Sequence, residues 1–219
     1  MFKIFKFLKF MTKKDDIFFE LAIKSNSLLL GDFTLKSGKQ SPYFFNIGSF
    51  FSEGYISHIA SLYADKIIDS SLSFDLLFGP AYKGIPLAAA VSASLSSKLS
   101  KPIPFAFDRK EEKNHGEGGM IVGDLSDKKV LVIDDVLTAG TALNQSVKII
   151  TNAGGLVTAG LVALDREEKI DGILTRDIIM KKHDLEILSL ARISQLVDFF
   201  EESGKDNEAS IIQDYLTNQ

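Results

Sequence analysis

The segment 130–143, VLVIDDVLTAGTAL, constrains the fold more than any other part of the chain. It opens with an apolar, mostly β-branched run, VLVI, of the kind that forms a strand buried on both faces of a parallel sheet. Apolar residues then recur at Leu143, Val147 and Ile150, which is the spacing of a helix face. The segment therefore predicts a strand, a loop and a helix in succession.

Two aspartates, Asp134 and Asp135, end the predicted strand, and the loop that follows contains Thr138, Gly140 and Thr141. A loop that leads into a helix amino terminus directs unpaired N–H groups toward an anion such as phosphate. Carboxylates beside such a site suit a sugar phosphate, which carries hydroxyls and can become cationic during reaction. The alternative, that the aspartates only end a strand and cap a helix, needs one acidic residue rather than two. We therefore favour a ligand site at this sheet edge.

Alternating strand and helix patterns over the rest of the chain predict an α/β fold in which helices flank a central parallel sheet. A chain of 219 residues suffices for one sizeable core, so we expect a single domain over 12–219. Helical spacing extends over 16–28, and FTLKSGKQSPYFFNIGSF then predicts two strands around a turn. The last helical stretches, ISQLVDFFEES and NEASIIQDYL, are predicted to pack on the sheet or to form an interface.

Charge and composition exclude several classes of function. A net charge of -4 and a pI of about 5.4 give no overall positive field for nucleic acid or an anionic membrane. The absence of cysteine excludes disulfides and thiolate chemistry and, with no secretion signal, predicts a cytoplasmic location. The opening MFKIFKFLKF is too short to span a bilayer. It is either a weak amphipathic surface helix or, as we favour, a dispensable extension over 1–11.

The connection 108–129 is dense in charge and glycine and has almost no apolar periodicity, so it is not expected to pack a core. Connections of this length are usually lids or binding loops. Its basic residues suggest closure over an anionic ligand, which we favour over a merely solvated loop: Arg109, Lys110, Lys113 and His115. The chain lacks the GxxxxGK[ST] and GxGxxG motifs, and its widely separated histidines predict no zinc site.

Four stretches, in order along the chain, carry a resemblance to a known family. VLVIDDVLTAGTA is similar to the phosphoribosyl diphosphate signature of type I phosphoribosyltransferases. FTLKSGKQSPYFFNIGSF, FDLLFGPAYKGIPLA and DRKEEKNHGEGG resemble stretches of the orotate phosphoribosyltransferases. The likeness begins near Asp16, leaves 1–11 outside, and is loose after Glu167. It implies the type I fold, a small amino-terminal hood formed mainly by 12–50, and a long flexible catalytic loop.

The resemblance implies a pentosyl transfer in pyrimidine biosynthesis. The 5-phosphoribosyl group of phosphoribosyl diphosphate would pass to orotate with inversion at the anomeric carbon, giving orotidine 5'-monophosphate and diphosphate. Departure of diphosphate leaves positive charge on the ribose, which Asp134 and Asp135 would stabilise. The implied cofactor is Mg²⁺, bound mainly through the diphosphate and not through dedicated protein ligands.

Residue by residue, the resemblance assigns catalysis to Lys113, Asp134 and Asp135. It implies a larger set in contact with phosphoribosyl diphosphate: Lys36, Tyr82, Lys83, Arg109, Lys110, Lys113, His115, Asp134, Asp135, Val136, Leu137, Thr138, Ala139, Gly140, Thr141 and Ala142. It implies an orotate pocket with one phenylalanine mainly in the core, formed by Phe44, Phe45, Thr138 and Arg166. Arg166 would grip the orotate carboxylate. The family also implies a strained, cis peptide between Ala81 and Tyr82.

A homodimer is implied as well, in which the loop 108–121 acts on the partner's active site. Two alternatives remain open. A purine phosphoribosyltransferase would share the phosphate loop and the aspartates, but SPYFFN and Arg166 argue against it. A non-catalytic regulator that binds nucleotides or RNA is opposed by the complete basic loop and by the acidic balance of the chain.

Overall fold

The structure is a computed structural model that describes residues 14–35, 38–113 and 119–218, with the backbone alone at 110–113 and 119. The chain divides into two compact units. Unit 1 combines the described residues up to Glu53 with those from Ser194 onward, and unit 2 is the continuous segment Gly54–Ile193. The predicted domain over 12–219 stays a prediction, and the predicted extension 1–11 lies outside the described residues.

Unit 1 brings amino-terminal and carboxyl-terminal segments together. Its elements are Lys14–Lys24 (α1), Leu28–Thr34 (β1), Gln40–Phe45 (β2), Gly48–Ser52 (α2), Ile193–Glu202 (α7) and Asp206–Thr217 (α8). The ring centroids of Phe19 and Phe199 lie 5.6 Å apart, and those of Tyr43 and Tyr215 lie 5.8 Å apart. These aromatic contacts join α7 and α8 to the amino-terminal segment.

The helix predicted over 16–28 is shorter in the structure. It ends at Lys24, and Asn26 takes a positive φ of 53°. Leu28 already belongs to β1, where it pairs with Phe45 of β2 in an antiparallel hairpin. Pairing across the hairpin therefore overrides the helical spacing at this end of the pattern.

Unit 2 is built around six strands: Leu76–Gly79 (β3), Phe105–Lys113 (β4), Gly119–Val122 (β5), Lys129–Leu137 (β6), Leu156–Asp165 (β7) and Glu186–Arg192 (β10). Their order across the sheet is β10-β7-β6-β3-β4-β5, and only the pair β4 and β5 is antiparallel. A small hairpin, Lys169–Ile170 (β8) with Ile173–Leu174 (β9), lies outside this sheet. The predicted α/β fold with a mostly parallel sheet is confirmed.

Four helices cover the sheet of unit 2: Ile56–Ser70 (α3), Gly84–Leu99 (α4), Thr141–Asn152 (α5) and Thr175–His183 (α6). Leu76, Val130 and Val132 share a core cluster with Leu143 of α5 and Ile179 of α6. Alternate strand residues face opposite sides of a sheet, so the buried neighbours of these strand residues point to the other face. There α4 packs against β3 and β6. The sheet is thus apolar on both faces, as the VLVI run predicts.

The connection 108–129 differs from its prediction as a segment without core packing. Its start continues β4 as far as Lys113, and Gly119–Val122 forms β5, with Asp108 opposite Ile121. Leu125 is buried in the core cluster, and Ile121 packs against it. Single apolar residues without a period were enough to anchor the second half of the connection to the sheet.

Candidate active site

The carboxyl end of β6 carries the two predicted aspartates. Strand β3 stops at Gly79 and pairs with β6 only as far as Phe78 opposite Val132. On the side of β3, the last part of β6 therefore has no neighbouring strand. The hydroxyl of Tyr63, on α3, donates a 2.7 Å hydrogen bond to the backbone oxygen of Asp134. Sequence reasoning did not identify Tyr63, which reads only as one apolar position on a helix face.

Charge is concentrated where β6 ends. The backbone N–H of Asp135 donates to Asp134 Oδ1 at 2.9 Å, and Lys83 Nζ lies 3.1 Å from Asp135 Oδ2. Burial, followed by the negative charge of Asp135, raises the pKa of Asp134 to about 7. Burial, with the charges of Asp135 and Asp134, raises the pKa of Tyr63 well above its usual value, so Tyr63 stays a donor. The structure thus places Lys83 against Asp135, beside an Asp134 carboxyl that keeps its proton up to about pH 7.

The raised pKa of Asp134 predicts a pH-dependent stability. Because its folded pKa of about 7 exceeds the ordinary 3.8, the folded state binds this proton more tightly than the unfolded chain. The resulting stabilisation is complete below about pH 4 and is lost as the pH rises through about 7. Between about pH 5 and pH 8, we expect the unfolding free energy to fall by about 1–3 kcal/mol more in the unmodified protein than in Asp134→Asn, measured by urea denaturation.

Asp124→Asn is the matched control for this prediction. The carboxylate of Asp124 is exposed, and hydrogen bonds from Ser126 lower its pKa. Its titration therefore lies below the tested interval, and the substitution should leave the difference between the two pH values unchanged. Equal pH dependence in the unmodified protein and in Asp134→Asn would contradict the raised pKa.

The turn between β3 and α4 carries Tyr82 and Lys83. The Ala81–Tyr82 peptide is cis, which confirms that part of the prediction. The N–H of Ala81 donates a 2.7 Å hydrogen bond to Asp108 Oδ1, and Tyr82 is 65% exposed. A Cβ added at Gly79 would collide with the backbone carbonyl of Gly84. The two backbone segments of the turn therefore approach so closely that only glycine fits at position 79. Asp108 is a second residue that the sequence did not single out.

The loop after β6 leads directly into α5. Val136 and Leu137 still belong to β6, where they pair with Leu164 and Asp165 of β7. Thr138, Ala139 and Gly140 form the bend, and Thr141 and Ala142 open α5 with exposed side chains. Gly140 takes a φ of 74°. The first N–H groups of α5 therefore lie at the same sheet edge as the aspartates, as expected for an anion site.

Arg166 lies beside this loop. It follows the last residue of β7, and its N–H donates to the carbonyl of Leu137 at 3.1 Å. Its side chain is buried, with Nε 3.5 Å from Glu168 Oε1. The structure thus brings Lys83, Asp134, Asp135, the loop 138–142 and Arg166 to the carboxyl ends of adjacent strands.

The other predicted site residues are distributed differently. Phe44 and Phe45 belong to unit 1: Phe44 is 41% exposed, whereas Phe45 is buried against Phe18 and Phe50. The expectation that one of the two is mainly core is met by Phe45. Arg109 is half-buried on β4, next to Asp108. Lys36 and His115 lie outside the described residues, as do the side chains of Lys110 and Lys113.

None of the helices in the described ranges combines the length and the hydropathy that a membrane span needs. Within those ranges there is also no cluster of three or more histidine or acidic side chains arranged to hold a metal ion.

The family comparison agrees with the fold and with this site. The model of the phosphoribosyl transferase domain matches residues 53–187, which includes the turn 79–84, both aspartates, the loop 138–142 and Arg166. This match covers more than half of the chain. The chain belongs to the phosphoribosyl transferase family.

Individual relatives narrow the assignment. The orotate phosphoribosyltransferase of Kluyveromyces lactis is 46% identical over 193 residues, covering 84% of this chain and 85% of the relative. That of Klebsiella pneumoniae is 41% identical, covering 84% of this chain and 87% of the relative. The crystal structure of the Francisella tularensis orotate phosphoribosyltransferase superimposes with a TM-score of 0.82 at 37% identity, covering 92% of this chain and 98% of that one. Within the wider family, the chain belongs to the orotate phosphoribosyltransferases, so the predicted fold and enzyme class are confirmed.

Proposed function

We propose that the cluster at the carboxyl ends of β3, β6 and β7 is the active site of an enzyme that transfers the 5-phosphoribosyl group from phosphoribosyl diphosphate to orotate, giving orotidine 5'-monophosphate and diphosphate. The observation that carries the proposal is the ion pair of Lys83 with Asp135, beside Asp134 and the loop that opens α5. This edge of the sheet therefore offers hydrogen-bond donors for the 5-phosphate and for the diphosphate, and carboxylates for the ribose that lies between them.

The carboxylates act on the ribose. Asp134 and Asp135 accept hydrogen bonds from its hydroxyls in the ground state, and their negative charge stabilises the positive charge that develops as the bond to diphosphate breaks. The loop 138–142 receives the 5-phosphate through its N–H groups and hydroxyls. Lys83, which is paired with Asp135, meets the diphosphate together with Tyr82.

The acceptor base is held by a second group of residues. The guanidinium of Arg166 recognises the orotate carboxylate, and Thr138, the first residue of the loop 138–142, also approaches the base. By resemblance to the family, Phe44 and Phe45 also bind orotate; within unit 1 the Phe44 ring is exposed and Phe45 is buried. Lys36 contacts phosphoribosyl diphosphate by resemblance to the family.

The basic connection completes the site in a homodimer. Arg109, Lys110, Lys113 and His115 close over the diphosphate of the partner's active site, and Lys113 provides the main catalytic charge as diphosphate leaves. Exclusion of water protects the activated sugar from hydrolysis. We further propose that the enzyme acts in the cytoplasm, in pyrimidine biosynthesis.

The residues present fit Mg²⁺ that enters with its substrate. Asp134 and Asp135 offer hard oxygen donors, but one is linked to Lys83, so the pair does not form a dedicated cage. Mg²⁺ keeps several waters and is commonly held by one or two carboxylates together with substrate phosphates. When bound, the ion neutralises charge on the diphosphate and makes it a better leaving group.

The direct test of function follows the loss of orotate absorbance after phosphoribosyl diphosphate and Mg²⁺ are added, with adenine, hypoxanthine and uracil as competing acceptors. We expect consumption of orotate alone. Activity with another base only would keep the reaction type and overturn the roles of Phe44 and Arg166. No turnover of any base would favour a regulatory protein that binds the same sugar phosphate.

Arg166→Ala is expected to raise the KM for orotate by about 10- to 100-fold, because a charge-assisted pair with a carboxylate is lost. The KM for phosphoribosyl diphosphate should change little. Arg166→Lys is the matched variant, because it keeps the charge but not the bidentate fork. Its KM for orotate should lie between those of the unmodified protein and of Arg166→Ala. Steady-state kinetics with each substrate varied in turn provide the measurement, and an equal rise for both substrates would contradict the assignment.

Lys113→Ala is expected to lower kcat by about 10- to 100-fold with a much smaller effect on nucleotide binding, because its charge acts mainly as diphosphate departs. The dimer proposal adds a sharper consequence. Lys113→Ala subunits mixed with Asp135→Asn subunits should recover roughly one quarter of normal activity, since half of the dimers then contain one intact composite site. Mixtures as inactive as their parents would show that the loop serves its own subunit.

A further inference from the structure

Helix α6 packs closely against Gly140, the residue at which the loop 138–142 enters α5. A Cβ added at Gly140 would collide with Ile179 Cδ1 and would lie 3.2 Å from Thr175 Cγ2. Ile179 and Thr175 are both buried. The loop backbone is therefore pressed against α6, and a shift of that helix would be transmitted to the loop.

The same helix reaches the loop through hydrogen bonds centred on Asn144. The backbone N–H and the side-chain Nδ2 of Asn144 both donate to the carbonyl of Gly140, each at 2.9 Å. On its other side, Asn144 Oδ1 accepts from Lys182 Nζ at 3.0 Å and lies 2.7 Å from His183 Nε2. The side-chain amide of Asn144 thus connects the last turn of α6 with Gly140, where the loop enters α5.

The charge of Lys182 strengthens this connection. A cation that donates to the oxygen of an amide polarises it and makes its N–H groups better donors. Burial, followed by the charges of Lys182 and Lys148, lowers the pKa of His183, so His183 is mainly neutral at pH 7. The donation by Lys182 therefore supplies the positive charge at Asn144 Oδ1.

The direction of the Gly140 carbonyl decides what the loop presents. In a trans peptide the C=O and the following N–H point in opposite directions, so a carbonyl held toward the body of α5 turns the N–H of Thr141 outward, away from the helix. A glycine with a positive φ is the residue most able to let this peptide rotate. Rotation would place a carbonyl oxygen where a phosphate is expected, and like charges would repel.

We propose that Asn144 is a positioning residue for the 5-phosphate. Its side chain binds the Gly140 carbonyl and so keeps the loop N–H groups directed at the phosphate. Lys182 and His183 are its supports, because they bind Asn144 Oδ1 and fix the orientation of the amide. This inference rests on the proposed function, because that function assigns the loop to the 5-phosphate. It predicts an effect confined to ligands that carry this phosphate. Phosphoribosyl diphosphate and orotidine 5'-monophosphate carry it, whereas orotate and diphosphate do not.

The test is a comparison of KM values for Asn144→Ala in both reaction directions. Loss of one hydrogen bond should raise the KM for phosphoribosyl diphosphate by about 3- to 10-fold, and the KM for orotidine 5'-monophosphate by a similar factor. The KM values for orotate and for diphosphate should remain within about twofold of normal, a limit well below the loss of one hydrogen bond. A uniform change in all four, or no change in any, would overturn the proposal.

Two further variants separate positioning from general damage. Asn218→Ala removes the same kind of bond, from Asn218 Nδ2 to the carbonyl of Asp214 at 2.8 Å, at the end of α8, and should leave all four KM values unchanged. Lys182→Ala with His183→Ala removes the supports but keeps Asn144, and should raise the same two KM values by a smaller factor. An unchanged double variant would overturn the role of the supports.

A binding measurement distinguishes this inference from the proposed function. Ribose 5-phosphate can be titrated into the protein by calorimetry without any turnover. Weaker binding to Asn144→Ala than to Asn218→Ala supports the inference even if the unmodified chain fails to consume orotate, and equal binding overturns it. Far-ultraviolet circular dichroism and the Tm of each variant establish that the compared proteins are folded.

Discussion

Asp135→Asn is expected to lower kcat by about 100- to 1,000-fold, which is the cost of removing one preorganised electrostatic group from a transition state. Its carboxylate is almost buried, its Oδ2 meets Lys83 Nζ at 3.1 Å, and its N–H is bonded to Asp134. Asparagine keeps the shape and the backbone bond but removes the charge. The positive charge on the ribose then develops beside one carboxylate instead of two, and Lys83 loses its partner.

Single-turnover rates at saturating substrate give this effect without interference from product release. Asp75→Asn is the matched control, because the Asp75 carboxylate accepts a 2.7 Å hydrogen bond from the N–H of Lys129 at the opposite end of the same strand. It should leave the single-turnover rate unchanged. A reduction of less than about 10-fold in Asp135→Asn would be too small for a group that stabilises the reacting sugar.

Gly140→Ala is expected to reduce kcat/KM for phosphoribosyl diphosphate by roughly 100-fold, since a displacement of about 1 Å at a substrate-holding loop has effects of this size. The added methyl group would overlap Cδ1 of the buried Ile179 and lie 3.2 Å from Thr175 Cγ2, so side chains of α6 or the loop itself must shift. The φ of 74° is also unfavourable for alanine. We expect the free energy of unfolding to fall by about 1–3 kcal/mol, measured by urea denaturation.

Gly172→Ala separates the two causes. Gly172 has a φ of 80°, but a Cβ there would meet nothing within 4 Å. Gly172→Ala carries the backbone strain without the collision. Its free energy of unfolding should fall by about 1 kcal/mol, and its activity should be unchanged. Equal losses of unfolding free energy in the two variants would show that backbone strain alone, and not the collision with Ile179, destabilises Gly140→Ala.

Much of unit 2 could be predicted from the sequence because its signals are local. The run VLVI, the paired aspartates and the glycine-containing loop all fall within 130–143, and strand, loop and helix follow in the predicted order. The strand nevertheless continues to Leu137, past the aspartates predicted to end it, because Val136 and Leu137 still pair with β7. The cis peptide at Ala81–Tyr82 came from the likeness of GPAYKG to the family, and not from any physical rule about its composition.

The supporting residues could not be predicted in this way. Tyr63 lies 71 positions from Asp134, with which it shares a hydrogen bond, and His183 lies 39 positions from Asn144. Each has the ordinary pattern of a helix residue, and its partner is determined by tertiary packing alone. The joining of α7 and α8 to the amino-terminal hairpin is of the same kind, because two amphipathic helices carry no information about which surface they cover.

The discontinuity of unit 1 has a consequence for synthesis on the ribosome. Unit 2 is one uninterrupted segment, so all of its strands are synthesised before α7. Phe19 and Tyr43, by contrast, contact rings at positions 199 and 215, which are synthesised after the whole of unit 2. Domains generally fold as their residues emerge from the amino terminus onward. The rings of Phe19 and Tyr43 therefore lack these partners until the whole of unit 2 has been synthesised.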